Sequence, residues 1–201
     1  MKLNSINKSQ FRPQKWKNGR GTTLELFNAK ADSWTDLASG RITIAEISSD
    51  GPFSVFPNTD RTTTLIEGQG LTLHIGEEKA VSLQESFDSF SYPGGKDIKA
   101  FLQSDKVRVL NVFTDSTLYA HNVDILNGED NSRLITGGHN IFFFALSGSP
   151  IISGPNSFET QLDEFSLLSV QAEKGGVWSV NGGIVQVIII KNKVSHEKRY
   201  D

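Results

Sequence analysis

Cysteine is absent from this chain of 201 residues, which excludes disulfide scaffolds, thiolate zinc sites and cysteine nucleophiles together. Stability must come from packing. Long apolar runs are missing too: the longest, residues 141–146 and 185–190, are strand-sized and far short of the roughly 18 apolar residues that a membrane-spanning helix needs. Residues 1–14 are polar and carry no apolar signal-peptide core, so the chain is expected to be cytoplasmic, with no membrane partner. An excess of positive charge is also lacking, since 20 Lys and Arg against 23 Asp and Glu leave a formal net charge of −3. Without a basic field to attract phosphate backbones, nucleic acid is not an expected partner.

Local catalytic signatures are equally scarce. The stretch Asn18-Gly19-Arg20-Gly21-Thr22-Thr23 lacks the lysine and spacing of a Walker loop, and Gly94-Gly95-Lys96-Asp97 opens no credible helix, so both read as turns. No GxSxG elbow announces a serine nucleophile. No window sustains a long amphipathic helix, and residues 32–37 are expected to form at most a helical turn or two.

What the chain does contain is a series of short apolar or alternating runs bounded by Gly, Asn, Asp and Ser: Arg41–Ile47, 62–66, Leu71–Ile75, 107–113, 141–146 and 185–190. Their length and β-branching predict strands and a mainly β fold class. The order of these features also repeats. Thr63-Thr64-Leu65-Ile66-Glu67-Gly68 is followed by residues 71–75, Leu83, Glu85, Phe90-Ser91, Gly94-Gly95 and the run 107–113. About 80 residues later, Phe143-Phe144-Ala145-Leu146-Ser147-Gly148 is followed by Ile151-Ile152, Leu162, Glu164, Leu168-Ser169, Gly175-Gly176 and the run 184–190. Such a duplication predicts two similar antiparallel β-barrels or sandwiches packed together, because closing each sheet removes edges that would otherwise aggregate. The expected divisions are an N-terminal barrel with an extension at 1–126, a C-terminal barrel at 127–192 that begins in the polar seam 127–138, and a charged tail at 193–201.

The block Trp16-Lys17-Asn18-Gly19-Arg20-Gly21-Thr22-Thr23-Leu24-Glu25 resembles the opening signature of the HutD/Ves family. Three further blocks agree in order. Arg41-Ile42-Thr43-Ile44-Ala45-Glu46-Ile47 with Asp50-Gly51-Pro52-Phe53-Ser54 resembles the second, Phe56-Pro57 with Arg61 and Leu65-Ile66-Glu67-Gly68 the third, and Asn111-Val112-Phe113 the fourth. The likeness covers residues 11–113 and thins afterwards. Arg20 and Phe113 depart from the pattern, standing where a small residue and Met are common. The resemblance implies a bicupin, two packed barrels of the double-stranded β-helix type, in keeping with the repeat.

Metal-dependent cupins hold a divalent ion with an HxH pair, a carboxylate and a later histidine. Here His74, His121, His139 and His196 stand isolated, and the stretch where the resemblance places the metal-binding strand reads Phe56-Pro57-Asn58-Thr59-Asp60-Arg61. Neither metal nor cofactor is expected. Arg41 and Arg61 carry guanidinium forks able to grip a carboxylate in bidentate fashion. Trp16, Phe53 and Phe56 are candidate apolar walls, and Asn18, Thr23 and Asn111 candidate donors of oriented hydrogen bonds, with Glu25 completing the ligand-binding set. In the alternative, the arginines pair with Glu25, Glu46 or Glu67 and the aromatics fill the core.

Through histidine-utilisation operons, the resemblance implies a metal-free bicupin binding a small acidic metabolite, urocanate-like or formylglutamate-like, in a regulatory or buffering role. Two other readings stand beside it. One is a cupin-type isomerase or hydrolase using Glu25, Glu46 or Glu67 as general acid or base; the other, from the Ves side, is a stress-associated interaction protein. Exposed barrel edges would also suit a homodimer, and the oligomeric state is left open.

Overall fold

The computed structural model describes residues 1–16, 21–77, 79–130, 133–136, 140–172 and 175–193. In chain order the strands are β1 (Lys2–Ile6), β2 (Arg12–Lys15), β3 (Gly21–Asn28), β4 (Arg41–Ile47), β5 (Gly51–Pro52), β6 (Thr59–Glu67), β7 (Leu71–Ile75), β8 (Lys79–Leu83), β9 (Ser89–Pro93), β10 (Ile98–Leu102) and β11 (Val107–Asp115). They continue with β12 (Tyr119–Asn127), β13 (Arg133–Thr136), β14 (Asn140–Ser147), β15 (Ile151–Gly154), β16 (Phe158–Gln161), β17 (Leu167–Gln171), β18 (Gly176–Asn181) and β19 (Ile184–Asn192). Each apolar run singled out in the sequence lies in one of these strands. The seam at 127–138 itself carries β13, and most of the tail, from residue 194 on, lies outside the described residues.

Residues 32–37 form a turn at 33–34 and otherwise irregular backbone rather than helix. Asp32 explains why, since its carboxylate accepts from both Nη atoms of Arg12 at 2.7 and 2.9 Å and from the backbone N–H of Asn28 at 2.7 Å. A short acidic side chain bonded this way holds the backbone outside the helical geometry. Among the described residues no helix is long and apolar enough to cross a membrane.

The strands assemble into four sheets, ordered β5-β10-β7-β8, β2-β3-β4-β11-β6-β9, β1-β17-β14-β19-β12 and β13-β18-β15-β16. Among the described residues none closes on itself, so each half of the molecule is a pair of facing sheets with free edges where the resemblance implied barrels. Period-2 alternation explains the layering, because successive side chains of a strand point to opposite faces. On β4 and β11, Ile42, Ile44, Leu110 and Val112 join the core between the two central sheets, whereas Ala45, Ile47, Val107 and Val109 join the core shared with β7, β8 and β10. A third core, around Phe143 and Trp178, lies between the β14 sheet and the β18 sheet. The central layer is sealed by aromatic contact, Phe27 and Phe142 meeting at 4.8 Å between ring centroids.

The duplication read from the sequence reappears as one pairing scheme used twice. In the first lobe β6 pairs with β11 and β9, β7 with β8 and β10, β4 with β11 and β5 with β10; in the second, β14 pairs with β19 and β17, β15 with β16 and β18, β12 with β19 and β13 with β18. Even the turns correspond. Phe87 and Phe165 both have positive φ, 76° and 59°, and their N–H groups donate to the carbonyls of Leu65 and Ala145 at 2.7 and 2.9 Å. Two strands depart from a division at 126/127: β1 pairs with β17 and β12 with β19, so both belong to the sheet built from residues 140–192.

Candidate functional site

The cavity-lining side chains arise from the alternation that builds the first lobe. Phe113 is paired with Arg41 of β4 on one side and Arg61 of β6 on the other; one pleat away Asn111 is paired with Thr43 and Thr63. These residues therefore form two polar rows on the face that looks toward β5 and β10. Farther along the same face Ala45, Leu65 and Val109 are apolar, so the lobe is filled at one end and hollow at the other. The hollow is a cavity of about 550 Å³ whose wall includes Trp16, Thr23, Arg41, Phe53, Phe56, Arg61, Asn111 and Phe113.

Arg61 is the centre of this site. It is only 6% exposed, and its Nε and Nη2 donate to Asn111 Oδ1 at 3.1 and 2.8 Å. Thr63 Oγ1 donates to the same oxygen at 2.9 Å and meets the Tyr92 hydroxyl at 2.9 Å. The guanidinium carbon lies 4.5 Å from the ring centroid of Phe53, 5.0 Å from Phe113 and 5.5 Å from Tyr92. Among the described residues, no carboxylate lies within ion-pair distance of it. Burial lowers its pKa, opposed by Tyr92, and burial likewise raises that of the Tyr92 phenol. Arginine starts so high that it keeps its proton in proteins. The site thus holds a desolvated cation among π faces.

Arg41 differs. Its Nε donates to Glu25 Oε2 at 2.8 Å and its Nη2 to Gln14 Oε1 at 2.9 Å, so this arginine follows the pairing alternative while Arg61 does not. Glu25 is held outside the cavity wall, between Arg41 and Arg12. Glu46 pairs with Lys106 and Glu67 with Arg108, and among the described residues no carboxylate lines the cavity. The general acid or base considered from sequence is therefore not placed there. Trp16 forms part of the wall, its Nε1 donating to Thr23 Oγ1 at 2.8 Å; Asn18 lies outside the described residues.

Thr43, Thr63 and Phe113 are functional candidates absent from the sequence-derived set, although the alternation from Arg41, Arg61 and Asn111 marks them. Tyr92 carried no local signal, because it reaches Arg61 only through the pairing of β9 with β6. No group of three or more His, Cys, Asp or Glu among the described residues is placed to hold a metal ion. His74 is exposed, its ring tilted against Phe101 at 4.7 Å, His121 is half-buried and bonded to Thr62 and Thr114, and His139 and His196 lie outside the described residues.

In the second lobe, the pairing scheme puts Ile141, Phe143, Val187 and Ile189 where the first lobe has Arg61, Thr63, Asn111 and Phe113. All four are buried, and Trp178 stands 5.3 Å from Phe143. The polar rows of the first lobe become packed core in the second.

A family model described as HutD matches residues 8–185. The chain belongs to the HutD family. An uncharacterized 21.2 kDa protein from the hutC 3′ region of Pseudomonas putida is 28% identical over 138 residues, which cover 69% of this chain and 70% of that one. Protein Ves of Citrobacter koseri is 32% identical over 100 residues, 49% of this chain and 51% of Ves. HutD from Pseudomonas fluorescens SBW25, solved in a formate condition, has a TM-score of 0.80 at 22% identity and covers 95% of this chain and 99% of its own. The wider likeness is cupin-like: the formate complex of Lactobacillus farciminis oxalate decarboxylase has a TM-score of 0.65 at 6% identity, over 92% of this chain and 85% of that one. The family is linked by name to the histidine-utilisation region.

Proposed function

We propose that this HutD-family chain is a metal-free bicupin, its facing sheets acting as two open barrels, that binds a small carboxylic acid in the N-terminal lobe. The single observation that carries the proposal is Arg61, buried in a cavity wall with three aromatic rings around it and, among the described residues, no carboxylate within ion-pair distance to balance it. A buried cation is costly without a partner, and a carboxylate arriving in the cavity supplies charge-assisted hydrogen bonds that water-exposed sites cannot match. A volume of about 550 Å³ suits a small metabolite. The family's link to histidine utilisation favours a urocanate-like or formylglutamate-like acid and a regulatory or buffering role. Two structural neighbours, Pseudomonas fluorescens HutD solved in a formate condition and the formate complex of oxalate decarboxylase, agree with carboxylate chemistry.

The test is calorimetric titration of three- to six-carbon acids against wild type and Arg61→Gln, with melting curves for both. Removing a desolvated charge partner costs about 2 to 5 kcal/mol of affinity, so the variant is expected to bind more than tenfold more weakly while still folding. Equal affinities would refute the proposal.

A further inference from the structure

The cations of the first lobe fall into two classes. Arg12 and Arg41 face Glu25 and Asp32, two charges against two: Arg41 Nε lies 2.8 Å from Glu25, Arg12 Nε 3.3 Å from Glu25 and Arg12 Nη1 2.7 Å from Asp32. The Glu25 side chain is 5% exposed and also accepts from Asn28 Nδ2 at 3.0 Å. Among the described residues Arg61 has no such partner. Lys15 also lines the cavity but is exposed, and a hydrated rim charge guides arrival more than it holds a ligand.

We infer that Glu25, by neutralising Arg41, selects ligands carrying one negative charge, and so favours a urocanate-like monoanion over the dianion of a formylglutamate-like acid: the carboxylate meets Arg61, and an uncharged polar group occupies the Arg41 end. The inference rests on the proposed role of Arg61. Arg41 and Arg61 stand on strands flanking β11, both paired with Phe113, so their backbones are about 10 Å apart, two inter-strand spacings. Long side chains shorten that gap, and a chain of about four to six atoms spans it. A second carboxylate at the Arg41 end has two options, both unfavourable. It can displace Glu25, leaving that buried carboxylate with one arginine fewer, or it can be desolvated against an ion pair whose charge is already spent. A terminal amide meets neither difficulty, because its oxygen can accept from the Arg41 guanidinium and its nitrogen donate to the Gln14 side-chain oxygen without carrying charge.

The experiment titrates the full chain with glutarate and its monoamide glutaramate, and with succinate and succinamate, pairs of nearly equal shape that differ by one charge. Wild type is expected to bind each monoamide at least tenfold more tightly than the matching dianion. In Glu25→Gln, whose fold is checked by its melting curve, that preference should shrink to less than threefold or reverse, because Arg41 is released. The wild-type ratios stand without any variant. Dianions bound as tightly as the monoamides, through an interaction that Arg61→Gln abolishes, would overturn the charge rule and leave the anion site intact. If no acid binds, or Arg61→Gln changes no affinity, the anion site fails and this inference with it.

Discussion

Replacing Arg61 by Met should cost the protein its ligand but not its stability. The guanidinium is 6% exposed, and an ion taken out of water loses several kcal/mol even after local relaxation. Against this loss stand three ring contacts at 4.5 to 5.5 Å, worth about 0.5 to 2 kcal/mol each, and two hydrogen bonds that share one acceptor, Asn111 Oδ1. Met fills similar volume, packs well against aromatic rings and leaves Asn111 Oδ1 with its donor from Thr63. Exchange of a buried ion for an apolar side chain is often neutral or stabilising by about 1 to 4 kcal/mol. Urea unfolding of ligand-free Arg61→Met, followed by circular dichroism, should therefore give a free energy equal to wild type or about 1 to 3 kcal/mol higher. Arg41→Met should move the other way by about 1 to 3 kcal/mol, because Glu25 is then left buried with Arg12 alone. A loss above about 2 kcal/mol for Arg61→Met, with affinity retained, would make Arg61 part of the scaffold and refute the reasoning.

Three further outcomes are expected. His121 bridges the central sheets, Nε2 lying 2.8 Å from Thr62 Oγ1 and Nδ1 2.7 Å from Thr114 Oγ1, and burial lowers its pKa from 6.5 against an opposing pull from Asp60. The fold thus prefers the neutral ring, so stability is fully present above the ordinary value and falls as pH drops below it. His121→Gln should flatten the decline in urea midpoint between about pH 7 and 5, and an unchanged slope would remove His121 as its source. At Gly154 an added Cβ would run into the Trp178 ring, so Gly154→Ala should lose about 1 to 3 kcal/mol in denaturant titration while the folded fraction binds ligand as before. At Gly21 a Cβ would meet both the Trp16 indole and the Glu46 carbonyl oxygen at 2.9 Å. Gly21→Ala should therefore displace Trp16, red-shift its emission and weaken ligand binding, and an unaltered spectrum and affinity would show that Trp16 is not positioned by that contact.

Much of the fold was legible in the residues. Strand positions follow from β-branched runs of the right length, and the face each side chain takes follows from period 2, so Arg61, Thr63 and Leu65 necessarily share one face of β6. The duplication was visible for the same reason, being carried by local strand and turn signals such as Gly68 and Gly148, both at positive φ after equivalent strands. Several cavity residues, among them Trp16, Phe53, Phe56 and Asn111, lie in the blocks that carry the family likeness. These features depend on backbone sterics and on neighbours a few residues away.

Tertiary structure decided what those features meet. Arg41 and Arg61 look alike in the sequence, each an arginine on a strand with glutamates at similar distances along the chain. They part only when β3 is laid beside β4, which brings Glu25 to Arg41, and β9 beside β6, which brings Tyr92 to Arg61. The same long-range pairing joins β1 and β12 to the second half and, among the described residues, leaves each sheet open. Side-chain alternation fixes which face a residue takes, but the neighbouring strand is chosen by burial of whole sheets against one another, a cooperative outcome of the entire chain. Whether an arginine becomes scaffold or site depends on that choice, because the partner charge, or its absence, comes from a strand that local sequence does not specify.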